Sequence, residues 1–198
     1  MSLIESIDEA ILNSIDKVGH IYQRISGKSK DVLSLKLYKL SALLGGTASA
    51  INYDNGELLA GGCGAAALGF YNALIKQHQM NLTENIPTTN DESNIEKLFA
   101  SASFIGSVLA LSKGVSDIAY SVGSRDYSYI KTGFTELSFG ASLLALMTGN
   151  YLDRCDIEPP KGKSVIQDFK DKLGDAVTIM KPVYQHYPQG ANYCNAQF

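Results

Sequence analysis

The chain has 198 residues, 45% hydrophobic and 19% charged, with a net charge of −3 and a pI near 5.6. That length suits one core with appendages rather than two independent domains, and without a basic surplus there is no electrostatic footprint for a phosphate backbone, so no nucleic-acid partner is expected. Cys63, Cys155 and Cys194 are odd in number, far apart and in no C-x-x-C pair, which argues against a disulfide framework or a thiolate metal site.

Residues 1–30 predict an amphipathic helix over Leu3 to Ile25. Ile4, Ile7, Ile11, Val18, Ile21 and Ile25 recur at three- and four-residue steps, with Ser14 interrupting the seam. Glu5, Asp8 and Glu9 near its start and Lys17 and Arg24 near its end complement the helix dipole. The stripe suits packing on its own domain, a coiled coil with a second copy, or a bilayer surface, and the acidic first half speaks least for the last. The opening residues lack a basic stretch followed by an apolar run, so no cleaved signal peptide is expected.

Residues 31–153 predict an all-α core of four helices, a four-helix bundle made of two antiparallel hairpins over 32–76 and 95–152. Each helix carries small residues four apart: Ala42, Gly46 and Ala50; Gly61, Ala65 and Gly69; Ala102, Gly106, Ala110 and Gly114; Ala141, Ala145 and Gly149. Residues so spaced share a helix face, and a ladder of them lets a neighbouring backbone approach closely. Asp54-Asn55-Gly56 marks the first turn through residues that tolerate positive φ, and Gly123-Ser124-Arg125-Asp126 the second. Between the hairpins, Gln77 to Glu96 is polar, contains Pro87 and shows no period, which reads as a linker. The two hairpins resemble a duplication, but aligning Glu57 with Glu136 shifts the ladders by one residue, so a single register is not supported.

Residues 154–181 hold a charged stretch, Pro159-Pro160, and a short amphipathic helix capped by Ser164, with Ile166, Phe169, Leu173, Val177 and Met180 on one face. Residues 182–198 are rich in Tyr, Gln, Asn and Gly without pattern and predict a poorly ordered tail.

Three features point to a membrane. Small-xxx-small ladders are the packing device of helices in lipid. Tyr38, Tyr53, Tyr71, Tyr120, Tyr129 and Tyr151 fall near segment ends, as in an interfacial belt. Arg24, Lys28, Lys30, Lys36 and Lys39 precede the first segment, which places both termini on the cytoplasmic side, although Lys113, Arg125 and Lys131 then lie outside. The uncharged runs are short for a bilayer of about 30 Å, so a soluble all-α interaction module is the alternative.

Lys113, Asp117 and Glu136 are the charges that fall well inside a predicted segment, and an ionisable group at membrane depth is a candidate functional site. At 1.5 Å per residue, Lys113 lies about 13 Å before the second turn and Glu136 about 9 Å beyond it, so they can pair across the hairpin. Lys113 and Asp117 also share a face at four-residue spacing. His20, His78 and His186 stand apart, with no metal spacing. Gly162-Lys163-Ser164 resembles the end of a phosphate loop, but Ile157 occupies the leading glycine position and nucleotide binding is rejected. No G-x-S-x-G elbow is present, and Cys63 reads as a small packing residue.

The composite expectation is an integral membrane protein with a structural, assembly or interaction role. No cofactor or metal is implied, catalysis is not evident, and the expected partners are a lipid bilayer and a second copy. Transport of an ion, proton or small solute through Lys113, Asp117 and Glu136 is the other membrane reading.

Overall fold

The computed structural model describes residues 3–82, 94–158, 160 and 162–174, and these contain helices and no strand. Five long helices follow one another: α1 Leu3–Ser26, α2 Lys30–Ile51, α3 Gly56–Asn81, α4 Asn94–Ser124 and α5 Ser128–Arg154. A further helical stretch, α6, covers 165–174. The segment expected as a linker from Gln77 is therefore helical to Asn81, and α4 resumes by Asn94. The predicted tail and His186, Cys194, Val177, Met180 and Pro87 lie outside the described residues.

The helix ends use local chemistry that differs from the expected turns. Gly27 takes φ +69° and returns its N–H to the Gln23 carbonyl at 2.8 Å, closing α1 as only a residue without Cβ does cheaply. Asn55 keeps an extended backbone and caps α3, its Oδ1 accepting from the Leu58 N–H at 3.3 Å. Neither Asn55 nor Gly56 needs positive φ. At the second turn Arg125, not Gly123, takes the left-handed conformation, φ 59°. Ser124 Oγ and Asp126 Oδ1 hold that turn by accepting the N–H groups of Asp126 and Ser128.

The four core helices stand in a row, α3–α2–α5–α4. α2 packs along both α3 and α5, and α5 along both α2 and α4; among the described residues α3 and α4 do not meet. α1 lies across α4, α5 and α2. Its Ile11, Leu12 and Ile15 join Tyr151, Leu152, Cys155 and Ile157 in the largest apolar cluster.

The seams between helices are built from glycine, alanine and serine. A Cβ at Gly45 would lie 2.6 Å from the Ala66 nitrogen, and one at Gly62 2.8 Å from the Ser49 nitrogen. Gly69 sits equally close to Ala42, and Gly114 to Gly133 and Leu137. Such approaches bring backbone against backbone, and any side chain would force the helices apart. Ser34, Ser41, Ser107, Ser121 and Ser142 are fully buried. Ser142 Oγ donates to the Ser41 carbonyl at 2.8 Å, and Asn52 Nδ2 to Thr135 Oγ1 at 2.8 Å, so α2 and α5 are also fastened by hydrogen bonds.

Several ladder residues stand elsewhere than expected. Ala65, Gly69, Gly114, Ala145 and Gly149 are buried, and Ala42, Ala110 and Ala141 are half-buried. Gly46, Ala50, Gly61, Ala102 and Gly106 are exposed, and a Cβ at Gly46 or Gly106 would meet nothing within 4 Å. On α2 the seam runs one residue earlier, through Ser41, Gly45, Ala48 and Ser49, and on α4 through Ser107 and Gly114. Serine is small enough for such a seam, and its hydroxyl returns to a backbone carbonyl, as Ser49 does to Gly45 at 3.1 Å.

Candidate functional site

Each core helix carries an uncharged run: 40–53 on α2 and its following turn, 58–75 on α3, 98–112 on α4 and 137–152 on α5. At 1.5 Å per residue these span about 21 to 27 Å. Ion pairs between helices fall toward either end of these runs. Lys76 joins Asp31 and Asp153 at one, while Lys131 joins Asp54 and Lys113 joins Glu136 at the other. The charge-free runs of α3, α4 and α5 thus overlap along most of their length as one band, and the α2 run, which starts nine residues past Asp31, is displaced toward the turns.

At the first of these ends a polar layer ties the helices together. Lys76, its side chain 10% exposed, places Nζ 2.7 Å from both Asp31 Oδ1 and Asp153 Oδ1. Tyr38 OH lies 2.8 Å from Asp153 Oδ2 and 2.9 Å from Asn150 Oδ1, to which Asn72 Nδ2 also donates. The Tyr38 ring packs on Gly149, where a Cβ would come within 2.6 Å of it. The adjoining half of the layer is centred on Asp8 of α1, with its side chain 5% exposed. Arg154 grips it through two parallel bonds, 3.1 Å to Oδ1 and 2.6 Å to Oδ2. Tyr151 OH donates to Asp8 Oδ1 at 2.8 Å, and the guanidinium lies 4.9 Å from the Tyr151 ring centre. Burial alone pushes the Asp8 carboxyl up, but hydrogen bonds from Arg154 and Tyr151, the Arg154 charge and the Ser101 hydroxyl outweigh it and hold the group below the ordinary aspartate value.

The sequence pattern does not bring these residues together: Asp8 reads there as a helix-dipole partner and Tyr38 and Tyr151 as belt residues. Asp8 and Arg154 are 146 residues apart, and each sits among other charges at a helix end where a solvated role is the ordinary one. The signal that existed was Lys76, a lone cation closing the uncharged run 58–75. Tyr38 and Tyr151, expected in an interfacial belt, are 3% and 1% exposed and belong to this layer instead. Tyr53, Tyr71, Tyr120 and Tyr129 are exposed, the last two edge to face at 5.5 Å.

Lys113, Asp117 and Glu136 do come together. Lys113 Nζ bonds Asp117 Oδ2 at 3.1 Å and Glu136 Oε1 across α4 and α5. Lys113 is 59% exposed, and the cluster stands at the rim of the band rather than in an enclosed path. His20 faces Asp16 at the surface, and His78 is exposed in the last turn of α3. Cys63, read as a packing residue, is exposed because α3 turns Gly62, Ala65 and Gly69 toward α2. Cys155 is buried, and burial pushes its thiol up to about 11, which leaves it protonated and unreactive at neutral pH.

Among the described residues no three His, Cys, Asp or Glu side chains converge to hold a metal ion. In the polar layer every carboxylate faces a cation, and the arrangement acts as an electrostatic clasp joining α1, α2, α3 and α5. Two helices, Gly56–Asn81 and Ile95–Ser124, are long and apolar enough to cross a membrane. α2 and α5, expected as the other two crossings, do not pass by composition, because Lys36 and Lys39 interrupt α2 and Glu136, Asp153 and Arg154 bracket the uncharged run of α5. No family model, curated protein or solved structure matches the chain.

Proposed function

We propose that this chain is an integral membrane protein with a structural or assembly role, whose core helices form two antiparallel hairpins set side by side in the bilayer. The observation that carries the reading is the inversion of inside and outside. The seams are filled with serine, glycine and alanine, while Leu43, Leu68, Phe70, Leu74, Phe99, Ile105 and Leu109 point outward within the charge-free band. A protein folding in water does the reverse, since burial of such side chains is its main driving force. In lipid that force is absent between helices, and close packing with interhelical hydrogen bonds takes its place.

Runs of about 21 to 27 Å are slightly shorter than a typical hydrocarbon core is thick, and the Lys39, Lys97 and Lys113 side chains beside them are long enough to snorkel to the headgroups. Among the described residues, the lysines and arginines at the end with the hairpin turns are Lys113, Arg125 and Lys131. That end faces away from the cytoplasm by the positive-inside tendency, and α1 and the C-terminal segment lie on the cytoplasmic side. The outward Gly46 with Ala50, and Ala102 with Gly106, are open to a helix of a second copy.

Washing membranes at alkaline pH tests the reading. Retention in the pellet with release by detergent alone supports it, whereas a detergent-free monomer that stays in solution overturns it and leaves the soluble interaction module.

A further inference from the structure

The C-terminal half of α1 exposes an apolar stripe that the helix row leaves open. Val18, Ile21 and Ile25 face away from Ile15, Gly19 and Gln23, which pack inward. Lys17 and Arg24, seven residues apart on α1, form an adjoining exposed stripe, Lys28 is exposed just past the end of the helix, and residues 17–30 contain four cations and no carboxylate. α1 ends against the start of α6, where a Cβ on Gly27 would lie 2.8 Å from the Ser164 Cβ. Ser164 accepts the Gln167 N–H at 3.1 Å and caps α6. α6 in turn exposes Val165, Ile166, Phe169 and Leu173 on one side and pairs Lys163 with Asp171 and Lys172 with Asp168 on the other.

We propose that the second half of α1 and α6 form one shelf lying in the headgroup layer of anionic phospholipids. A basic stripe beside an apolar one keeps a helix in the interface plane, with the apolar side chains in the acyl boundary and the cations on the phosphates. The shelf's position agrees. Ile157, which packs beneath Gly19, lies five residues past Leu152, the last uncharged residue of α5, so the shelf starts where the band stops. This placement rests on the membrane reading above. Of the acids of α1, Asp8 is spent on Arg154, Asp16 at the start of the shelf faces His20 at 3.6 Å, and Glu5 and Glu9 lie in the other half of the helix.

The chain contains no tryptophan, so single reporters can be placed in the full-length protein. Phe169→Trp and Ile21→Trp report the shelf, and Phe70→Trp, exposed on α3, reports the band. Each is reconstituted into vesicles of phosphatidylcholine, with or without phosphatidylglycerol, carrying bromine at shallow or deep acyl positions. The expected result is deep quenching of Phe70→Trp in both lipids, and shallow quenching of the two shelf reporters only with phosphatidylglycerol. Replacing Lys17, Arg24 and Lys28 together by Gln lowers the docked-to-lifted ratio roughly a hundredfold, at about fivefold per cation near the surface. Quenching at Phe70→Trp without any at the shelf, or shelf quenching equal in both lipids, overturns the proposal and leaves the membrane reading standing. Shelf quenching by phosphatidylglycerol vesicles with none at Phe70→Trp keeps the shelf and overturns the spanning helices.

Discussion

Gly45 and Gly46 are chemically identical neighbours, and the row of helices gives them opposite roles. An alanine Cβ at Gly45 would lie 2.6 Å from the Ala66 nitrogen, 2.9 Å from the Gly62 oxygen and 3.0 Å from the Ala66 Cα. All three are backbone atoms of α3 and cannot swing aside. Relaxing them to an ordinary contact near 3.5 Å moves α2 and α3 apart by about 1 Å, and that gap propagates to the seams at Gly62 and Gly69. Overpacking of this kind costs about 1–3 kcal/mol, toward the upper end where only backbone can yield. The better helix propensity of alanine returns about 1 kcal/mol, so Gly45→Ala is expected to lose about 2 kcal/mol net. Gly46→Ala meets nothing within 4 Å and keeps only the propensity gain. For a chain of this size, 2 kcal/mol is a Tm decrease of about 4–8 °C, measurable by thermal unfolding of the detergent-solubilised protein. Equal melting of the two variants, or a larger loss at Gly46→Ala, would refute the assignment of the α2 seam.

Lys76→Met leaves Asp31 and Asp153, 40% and 26% exposed, without their cation and is expected to cost about 2 kcal/mol, less than the roughly 3–5 kcal/mol of a fully buried pair because water still reaches both carboxylates. Adding Asp31→Asn and Asp153→Asn should recover much of it, as read from denaturant or thermal unfolding of the single and triple variants. Asp8 has a lowered folded pKa, so its contribution is complete above the ordinary aspartate value of 3.8 and is lost as pH falls from there through the folded value. Acid titration should therefore release α1 from α5, followed by proteolysis of α1 or by a label on Ser14→Cys, and Asp8→Asn should show the released state at neutral pH. Lys113→Gln, at an exposed rim position, should leave the melting midpoint unchanged. A large loss there would mean that the Glu136 contact is buried in the assembled protein.

Much of the helical framework was legible from local chemistry. The isoleucine spacing of α1, the breaks at Gly27 and Asn55, and the cap at Ser164 act over a few residues, and the structure uses those residues. The choice of seam was less legible, since Gly45-Gly46 and Gly61-Gly62 offer two faces to any small-residue search, and serine was left out of the ladders. Only contact with Ala66 and Ser49 selects Gly45 and Gly62. The candidate site was split the same way. Lys113, Asp117 and Glu136 meet because hairpin geometry over 23 residues can be worked out from the turn. Asp8 with Arg154, and Lys76 with Asp31 and Asp153, join elements whose adjacency no local pattern encodes.

The amino-acid order alone determined that the chain is helical, where its uncharged runs begin and end, and that its helices have small faces, because propensity, capping and periodicity are properties of short segments. Tertiary structure decided that α2 and α5 stand in the middle and α3 and α4 at the edges, so that the most apolar helices are those with the most surface to spare. It also decided which charges become buried. A charge can sit away from water only where partners from other helices surround it, and that condition is met by the assembled row, not by any one segment.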